Sequence, residues 1–400
     1  MKILVACNLP ESTLSELRTL GTEIIYEPKL TTAELEKRID DVAVLVVGRL
    51  RVPPEVVTAG TALQLIVRAG SDTANIAIET ASEQGVFVCN CPDKQATAVA
   101  ELTLGLLVAL DRRVLKKAAV SGRSVPDELD EIDAIGLAGR TLGVLGFGAA
   151  EREIIKRAQA FDMEILAWSP TLTPELAGTH QVGFCTWPRE LARRSDMVTV
   201  YAPQEEADEI LVNAEFLQTM RSGAYIVYIG HPAALDQAAL VEIAGERKLR
   251  IAYDVSTAQL TSSKTEQFRT RLQALPDVIG THRLAHRTKQ AYEATADELV
   301  RVIREFLVGG EVLNCVNLLA RSPATWQLFL RLKDTVGVLA AIMENIRADG
   351  VNAEEITSRV FTGAKAGCCT IALDERPSTE ALSAIRQLKG VLHLELRALV

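Results

Sequence analysis

The segment Thr141-Leu-Gly-Val-Leu-Gly146-Phe147-Gly148-Ala149-Ala150-Glu151 has the clearest capacity for chemistry in the chain. An apolar strand runs into Gly-x-Gly and then into a helix. In that context the glycines let the backbone approach a pyrophosphate, and the helix N-terminal amides receive it. Gly146, Phe147, Gly148, Ala149 and Ala150 are therefore the candidate contacts for a dinucleotide such as NAD or NADH. Two neighbours oppose it. Glu151 stands where a third glycine would allow close helix packing, and it brings a carboxylate to the place a pyrophosphate would take. The following strand ends in Ser169, where an acidic residue would hold the ribose hydroxyls. At about 1 to 3 kcal/mol for each defect, micromolar affinity would fall toward millimolar, so cofactor binding is expected to be weak or absent.

These residues need a scaffold, and the hydrophobic pattern supplies one. Short apolar runs at 2–7, 23–26, 42–47, 63–67 and 86–89 alternate with helical patterns, one of them opened by the capping box Thr31-x-x-Glu34. Buried strands separated by helices imply parallel sheets covered on both faces. A long helix is expected from about Ala96 to Ala119, then a polar stretch from Gly122 to Asp133. A second strand and helix series starts at Thr141 and closes with a helix from Arg287 to Leu307 that leads back to the first unit. The tail from Trp326 reads strand, helix, strand, strand, helix, strand, the βαββαβ order of a ferredoxin-like domain. The expected fold is thus α/β, with two doubly wound Rossmann-like domains and a C-terminal βαββαβ domain. The expected boundaries are 1–96 with 286–310 for a discontinuous substrate-type domain, 97–285 for the dinucleotide-binding-type domain, and 322–400 for the tail.

Composition narrows the partners. Fifty-two acidic against 43 basic residues give a net charge of −9, which disfavours binding nucleic acid through its phosphates. No apolar run approaches the length of a membrane span or a signal peptide core, so a cytoplasmic protein without a membrane partner is expected. The seven cysteines are scattered and read as reduced, buried thiols. Cys89 and Cys91 have no second pair at ligand spacing, so no metal site is expected.

With these motifs in place, the chain resembles the D-2-hydroxyacid dehydrogenases, most closely the phosphoglycerate dehydrogenase branch with a C-terminal ACT domain. The resemblance rests on Arg68-Ala-Gly-Ser-Asp-Thr-Ala-Asn75, on Gly139 to Gly148, on Ala160-Phe-Asp-Met-Glu164, on Asp236 to Leu240 and, in the tail, on Asp334-Thr-Val-Gly337-Val-Leu. It implies hydride transfer to NAD, with an arginine gripping substrate, a histidine acid/base and a glutamate partner. At those three positions this chain has His231, Arg283 and Thr257. Arginine cannot exchange protons near neutral pH, and threonine supplies no carboxylate. In the loop implied to receive the substrate carboxylate, Ser71 and Asp72 follow Gly70, and the acidic side chain would repel that group unless it turned away. Asp254, Glu101 and Pro203 match the family pattern, with Asp254 and Pro203 implied near the cofactor. Arg49 and Arg51 are further candidates for an anionic ligand.

Three functional readings stay open. One is a catalytically degenerate relative with a ligand-binding, regulatory or assembly role. Another is a repurposed enzyme in which His231, with His282 and His286 nearby, moves protons while Arg283 clamps an anion. The last is an active NAD-dependent 2-hydroxyacid dehydrogenase. The resemblance also implies a homo-oligomer, dimer or tetramer, and an effector site at Asp334 and Gly337. There Asp334 could instead be the N-cap of the following helix.

Overall fold

The computed structural model describes residues 1–118, 134–202, 210–230, 235–255, 270–272, 274–309, 312–319 and 321–399. The chain divides into two compact units, Met1–Asn317 and Leu318–Val400.

The first unit holds two parallel sheets. One consists of β1 (Lys2–Ala6), β2 (Glu23–Tyr26), β3 (Val44–Val47), β4 (Leu65–Arg68) and β5 (Phe87–Cys89), in the order β2-β1-β3-β4-β5. Alternate residues serve its two faces: Ile3, Val5, Val44 and Val46 join one core, and Leu4, Ala6, Leu45 and Val47 the other. The sheet is therefore buried on both sides, which is why its strands read as continuous apolar runs. Helix Lys289–Val308 returns to it, placing Leu299, Val300, Val302 and Ile303 in the first of those cores.

The other sheet consists of β6 (Thr141–Leu145), β7 (Glu164–Trp168), β8 (Gly183–Phe184), β9 (Met197–Ala202), β10 (Tyr225–Gly230), β11 (Arg250–Val255) and β12 (Val278–Thr281). Its order, β12-β11-β10-β9-β6-β7-β8, reverses direction between β6 and β9. That reversal opens a crevice at the strand C-terminal ends, where the glycine turn lies.

The long helix expected from Ala96 to Ala119 is interrupted at Arg113, which takes a left-handed conformation (φ +50°) between helices Ala96–Arg112 and Val114–Ala118. The Arg113 guanidinium pairs with Asp277 at 3.0 Å, holding the break. Next to it Asp111 is buried, accepting from Tyr225 Oη at 3.0 Å and from the Gly136 amide at 3.2 Å. The polar stretch 122–133 lies outside the described residues. Among the described residues no helix is long and apolar enough to cross a membrane.

Glu298, on helix Lys289–Val308, accepts from Arg301, from Asn314 Nδ2 at 2.7 Å and from Lys94 Nζ at 3.1 Å. These donors, Arg301 foremost, lower its pKa to about 2. Because the folded value is depressed, its stabilisation is complete above pH ~4.5 and is lost as pH falls toward 2. Glu298→Gln should remove on the order of 2 kcal/mol of stability at pH 7 and little at pH 2, read from urea unfolding midpoints across that range.

The second unit has β13 (Trp326–Lys333), β14 (Ala353–Val360), β15 (Ala366–Leu373) and β16 (Val391–Ala398), antiparallel in the order β14-β15-β13-β16. With helices Val338–Ala348 and Thr379–Gln387 this is βαββαβ. Leu328, Leu330, Ile371 and Leu373 pack with Ile342, Ile346 and Ile385 in its single core. The first of those helices is capped by Gly337 at φ +89° with no side-chain cap bond. Asp334 is therefore not its N-cap: it is exposed, three residues earlier, and its amide donates to the Lys365 carbonyl at 3.1 Å.

Candidate functional site

Gly146 leaves β6 with φ +113°, and Gly148 is the N-cap of helix Ala149–Gln159. This is the geometry of a phosphate cradle, and a side chain of the protein already lies in it. Glu151 is 5% exposed. Its Oε1 lies 2.6 Å from where a Cβ on Gly146 would stand, and its Oε2 lies 2.9 Å from the equivalent point on Gly148. The space left free by both glycines is filled by a carboxylate at the positive end of a helix, an electrostatically favourable place for it. Arg152 adds a second lock, donating to the Phe147 carbonyl at 3.0 Å, and the Phe147 ring meets His180 edge-on at 5.2 Å. Ala149 and Ala150 form the first helical turn behind the cradle.

Ser169, at the end of β7, is buried, and its hydroxyl is engaged locally. It accepts from the Thr171 amide at 3.1 Å and shares a hydrogen bond with the Thr171 hydroxyl at 3.1 Å.

A cavity of about 880 Å³ lies where the C-terminal ends of both parallel sheets meet. Cys7, Arg49, Arg68, Ser71 and Asp72 line it from the first sheet, and Tyr201 and Asp254 from the second. Arg283, His286, Arg287 and Tyr292 complete it. In a chain of net charge −9, four arginines against two carboxylates among the described residues that line it make this a locally cationic hollow.

Both carboxylates are turned to structural work. Asp72 accepts from the Ala74 amide at 2.9 Å, a local turn that draws its side chain back toward the backbone. Asp254 is buried and accepts from Thr281 Oγ1 at 2.8 Å, Leu284 N at 3.0 Å and Ala285 N at 2.9 Å. It thereby fixes the loop carrying Arg283 and His286, in which Arg283 adopts a left-handed φ of +52°.

The arginines crowd one another. Burial lowers the Arg68 pKa, with Asp72 opposing and Arg49 adding to the drop; burial, Arg49 and Arg287 lower that of Arg283. Among the described residues the buried Nε of Arg68 and the buried Nδ1 of His286 have no hydrogen-bond partner. Burial lowers the His286 pKa, Asp254 opposes, and Arg49 and Arg68 reinforce the drop, so the ring is neutral at pH 7. The ring meets that of Tyr201 in a T-shaped arrangement, with centroids 6.4 Å apart.

The structure thus gathers Arg49, Ser71, Asp72, Asp254, Arg283 and His286 around one hollow, and Gly146 to Ala150 with Ser169 at the crevice of the second sheet. Arg51 is not part of it: it is exposed, does not line the cavity, and its carbonyl receives the Thr32 hydroxyl at 3.2 Å. His231, Thr257 and Pro203 lie outside the described residues. His282 and Glu101 are exposed.

Arg68 and Arg287 also line the hollow, beyond the residues that the sequence motifs mark for the site. A signal for Arg68 existed in Gly70 (φ +142°), two positions on, because a Cβ there would collide with Arg68 Nη1. The glycine leaves room for the guanidinium to fold into the cavity. Arg287 had no comparable marker.

Residues 104–285 match the model of the D-isomer specific 2-hydroxyacid dehydrogenase, NAD binding domain. The chain is 33% identical over 272 residues to hydroxypyruvate reductase of Thermotoga maritima, an alignment covering 68% of this chain and 86% of that protein. The chain belongs to the D-isomer specific 2-hydroxyacid dehydrogenase family. This family member is also 32% identical over 320 residues to D-3-phosphoglycerate dehydrogenase of Methanocaldococcus jannaschii, covering 80% of this chain and 60% of that protein. It therefore spans less than two thirds of that relative's length. Among solved structures it is similar to a Thermus thermophilus protein at 29% identity and a TM-score of 0.67, covering 79% of this chain and 100% of that one. NAD⁺-bound 3-phosphoglycerate dehydrogenase of Entamoeba histolytica, at 22% identity and a TM-score of 0.65 over 80% of this chain and 99% of that one, shares the fold.

Proposed function

We propose that this member of the 2-hydroxyacid dehydrogenase family is catalytically degenerate: it binds a small, multiply charged anion in its arginine-lined cavity and does not carry out NAD-linked hydride transfer. The observation carrying this reading is the Glu151 carboxylate in the Gly146–Gly148 cradle, where a pyrophosphate would have to displace a buried like charge. Ser169, bonded to Thr171, offers the ribose no carboxylate. At the position implied for the proton-transferring histidine stands Arg283, which holds its proton near neutrality. Arg49, Arg68, Arg283 and Arg287 support anion binding, because an anion would relieve their mutual repulsion and give Arg68 Nε a partner.

The test uses 3-phosphoglycerate as a probe carrying both a phosphate and a carboxylate. Calorimetry should show binding that weakens with added salt and falls about tenfold in Arg68→Ala, the loss of one charge-assisted contact. No heat at millimolar probe would sink the anion-binding reading.

A second reading rests on His286. A neutral imidazole with a buried, unpartnered Nδ1 beside several arginines could take a proton from a bound anion, making the protein an enzyme of changed chemistry. Turnover of a bound anion, abolished by His286→Gln, would establish it.

We read the C-terminal βαββαβ unit as an ACT-type regulatory module and the protein as a homo-oligomer. The support is the edge strand β14, where Ile356 and Val360 are exposed, and the exposed turn from Asp334 to Gly337. The mass in light scattering tests the assembly.

A further inference from the structure

Just before the second unit, the chain runs back along β5 as an antiparallel rib on the edge of the first sheet. The Asn90 amide donates to the Asn314 carbonyl at 3.2 Å, and the Val316 amide to the Val88 carbonyl at 2.8 Å. Between these two bonds Cys89 faces Cys315. A pair flanked in this way, without bonds of its own, is the closer of the two antiparallel pairings, with Cα atoms about 4.5 Å apart and both side chains on one face. That separation lies within the range a disulfide spans. The Cys315 thiol is close enough to Cys89 to raise its pKa.

The surroundings hold this register from both sides. Asn317 Oδ1 accepts from the Val88 amide at 2.8 Å and from Cys315 Sγ at 3.2 Å, while its Nδ2 donates to the Val86 carbonyl at 2.9 Å. On the other flank Asn314 Nδ2 donates to Glu298 at 2.7 Å. Cys89 is fully buried and Cys315 half-buried, so oxidant reaches Cys315 first.

We propose that Cys89 and Cys315 are a covalent modification site, a reversible disulfide formed at the expense of a peroxide. The Cys315 thiolate attacks one peroxide oxygen, breaking the O–O bond to give a sulfenic acid and, with its released proton, one water. The Cys89 sulfur then attacks Cys315 Sγ and expels hydroxide, which takes the Cys89 proton as a second water. Two thiols lose two electrons, and the peroxide gains them. The contact with Cys315 and burial keep Cys89 protonated, so the second step is the slow one. Burial raises Cys7 and Cys91 to about 12 and holds both as thiols. The bond closes the first unit covalently next to the residue where the second begins, and it does not depend on what the cavity binds.

The test treats the full chain with hydrogen peroxide, quenches with an alkylating reagent and maps non-reduced peptides by mass spectrometry. The expected result is a peptide pair linking Cys89 to Cys315. Thiols titratable in denaturant should fall from seven to five and return to seven with dithiothreitol. Cys315→Ser should abolish both changes and Cys7→Ser neither, and the thermal midpoint of the oxidised chain should rise. Cys315→Ser, at a half-buried position, keeps the test usable if Cys89→Ser fails to fold. Seven thiols persisting after excess peroxide, a linkage through Cys7 or Cys91, or the same loss of thiols in Cys315→Ser would overturn the proposal.

Discussion

Replacing Glu151 with glycine is expected to raise affinity for NAD by about 10²-fold, a gain of roughly 3 kcal/mol. The buried carboxylate both fills the space of the two turn glycines and presents a negative charge where a pyrophosphate would lie. Its removal uncovers the cradle and restores the helix end to an incoming anion. Glu151→Gln separates the two contributions, because it keeps the bulk and loses the charge. An affinity midway between the parent and the glycine variant would show that repulsion and occlusion both act. Adding Ser169→Asp should give a further gain of about tenfold by supplying the ribose with a carboxylate. Calorimetric titration of the three variants checks the series, and no gain in Glu151→Gly would show that something else blocks the crevice.

Asp254→Ala should be the most damaging single change near the cavity, costing on the order of 3 kcal/mol of stability and most of the anion affinity. Asp254 is buried and is the shared acceptor for Thr281 Oγ1, Leu284 N and Ala285 N. Truncation leaves those donors without it, and a buried unsatisfied group costs about 1 to 3 kcal/mol. The freed loop is the one carrying Arg283 and His286, so the cavity loses positioned charge together with stability. Denaturant unfolding and titration of the same preparation measure both. A loss of stability with unchanged anion affinity would show that the loop does not hold the ligand.

The sequence made the architecture legible because its signals were local and repeated. Strands buried on both faces read as short apolar runs, the Thr31-Glu34 capping box forms as its spacing implies, and Gly146-x-Gly148 opens a helix. The conflict at Glu151 was also readable, since helix geometry places the third residue of a first turn near the N-cap.

The break at Arg113 was not readable, because it depends on a partner, Asp277, that lies 164 residues away. Asp334 shows a different failure. An aspartate at the start of a helical pattern is a good N-cap by propensity, but here the left-handed Gly337 takes that place. The cationic cavity was half legible: Arg49 and Arg283 stood out at loop ends and Gly70 marked Arg68, whereas Arg287 joins the site only where the two sheets bring their strand ends together. Arg51, two positions from Arg49, shows the converse, since it shares Arg49's chemistry and lies outside the cavity.

The most direct measurement of the central claim is a calorimetric titration of the unaltered chain with NAD at neutral pH. The occupied cradle predicts a dissociation constant near the millimolar range, with little heat evolved at micromolar cofactor. A dissociation constant of about 10 μM or tighter would contradict it, for the cofactor would then displace the buried Glu151 carboxylate at little cost.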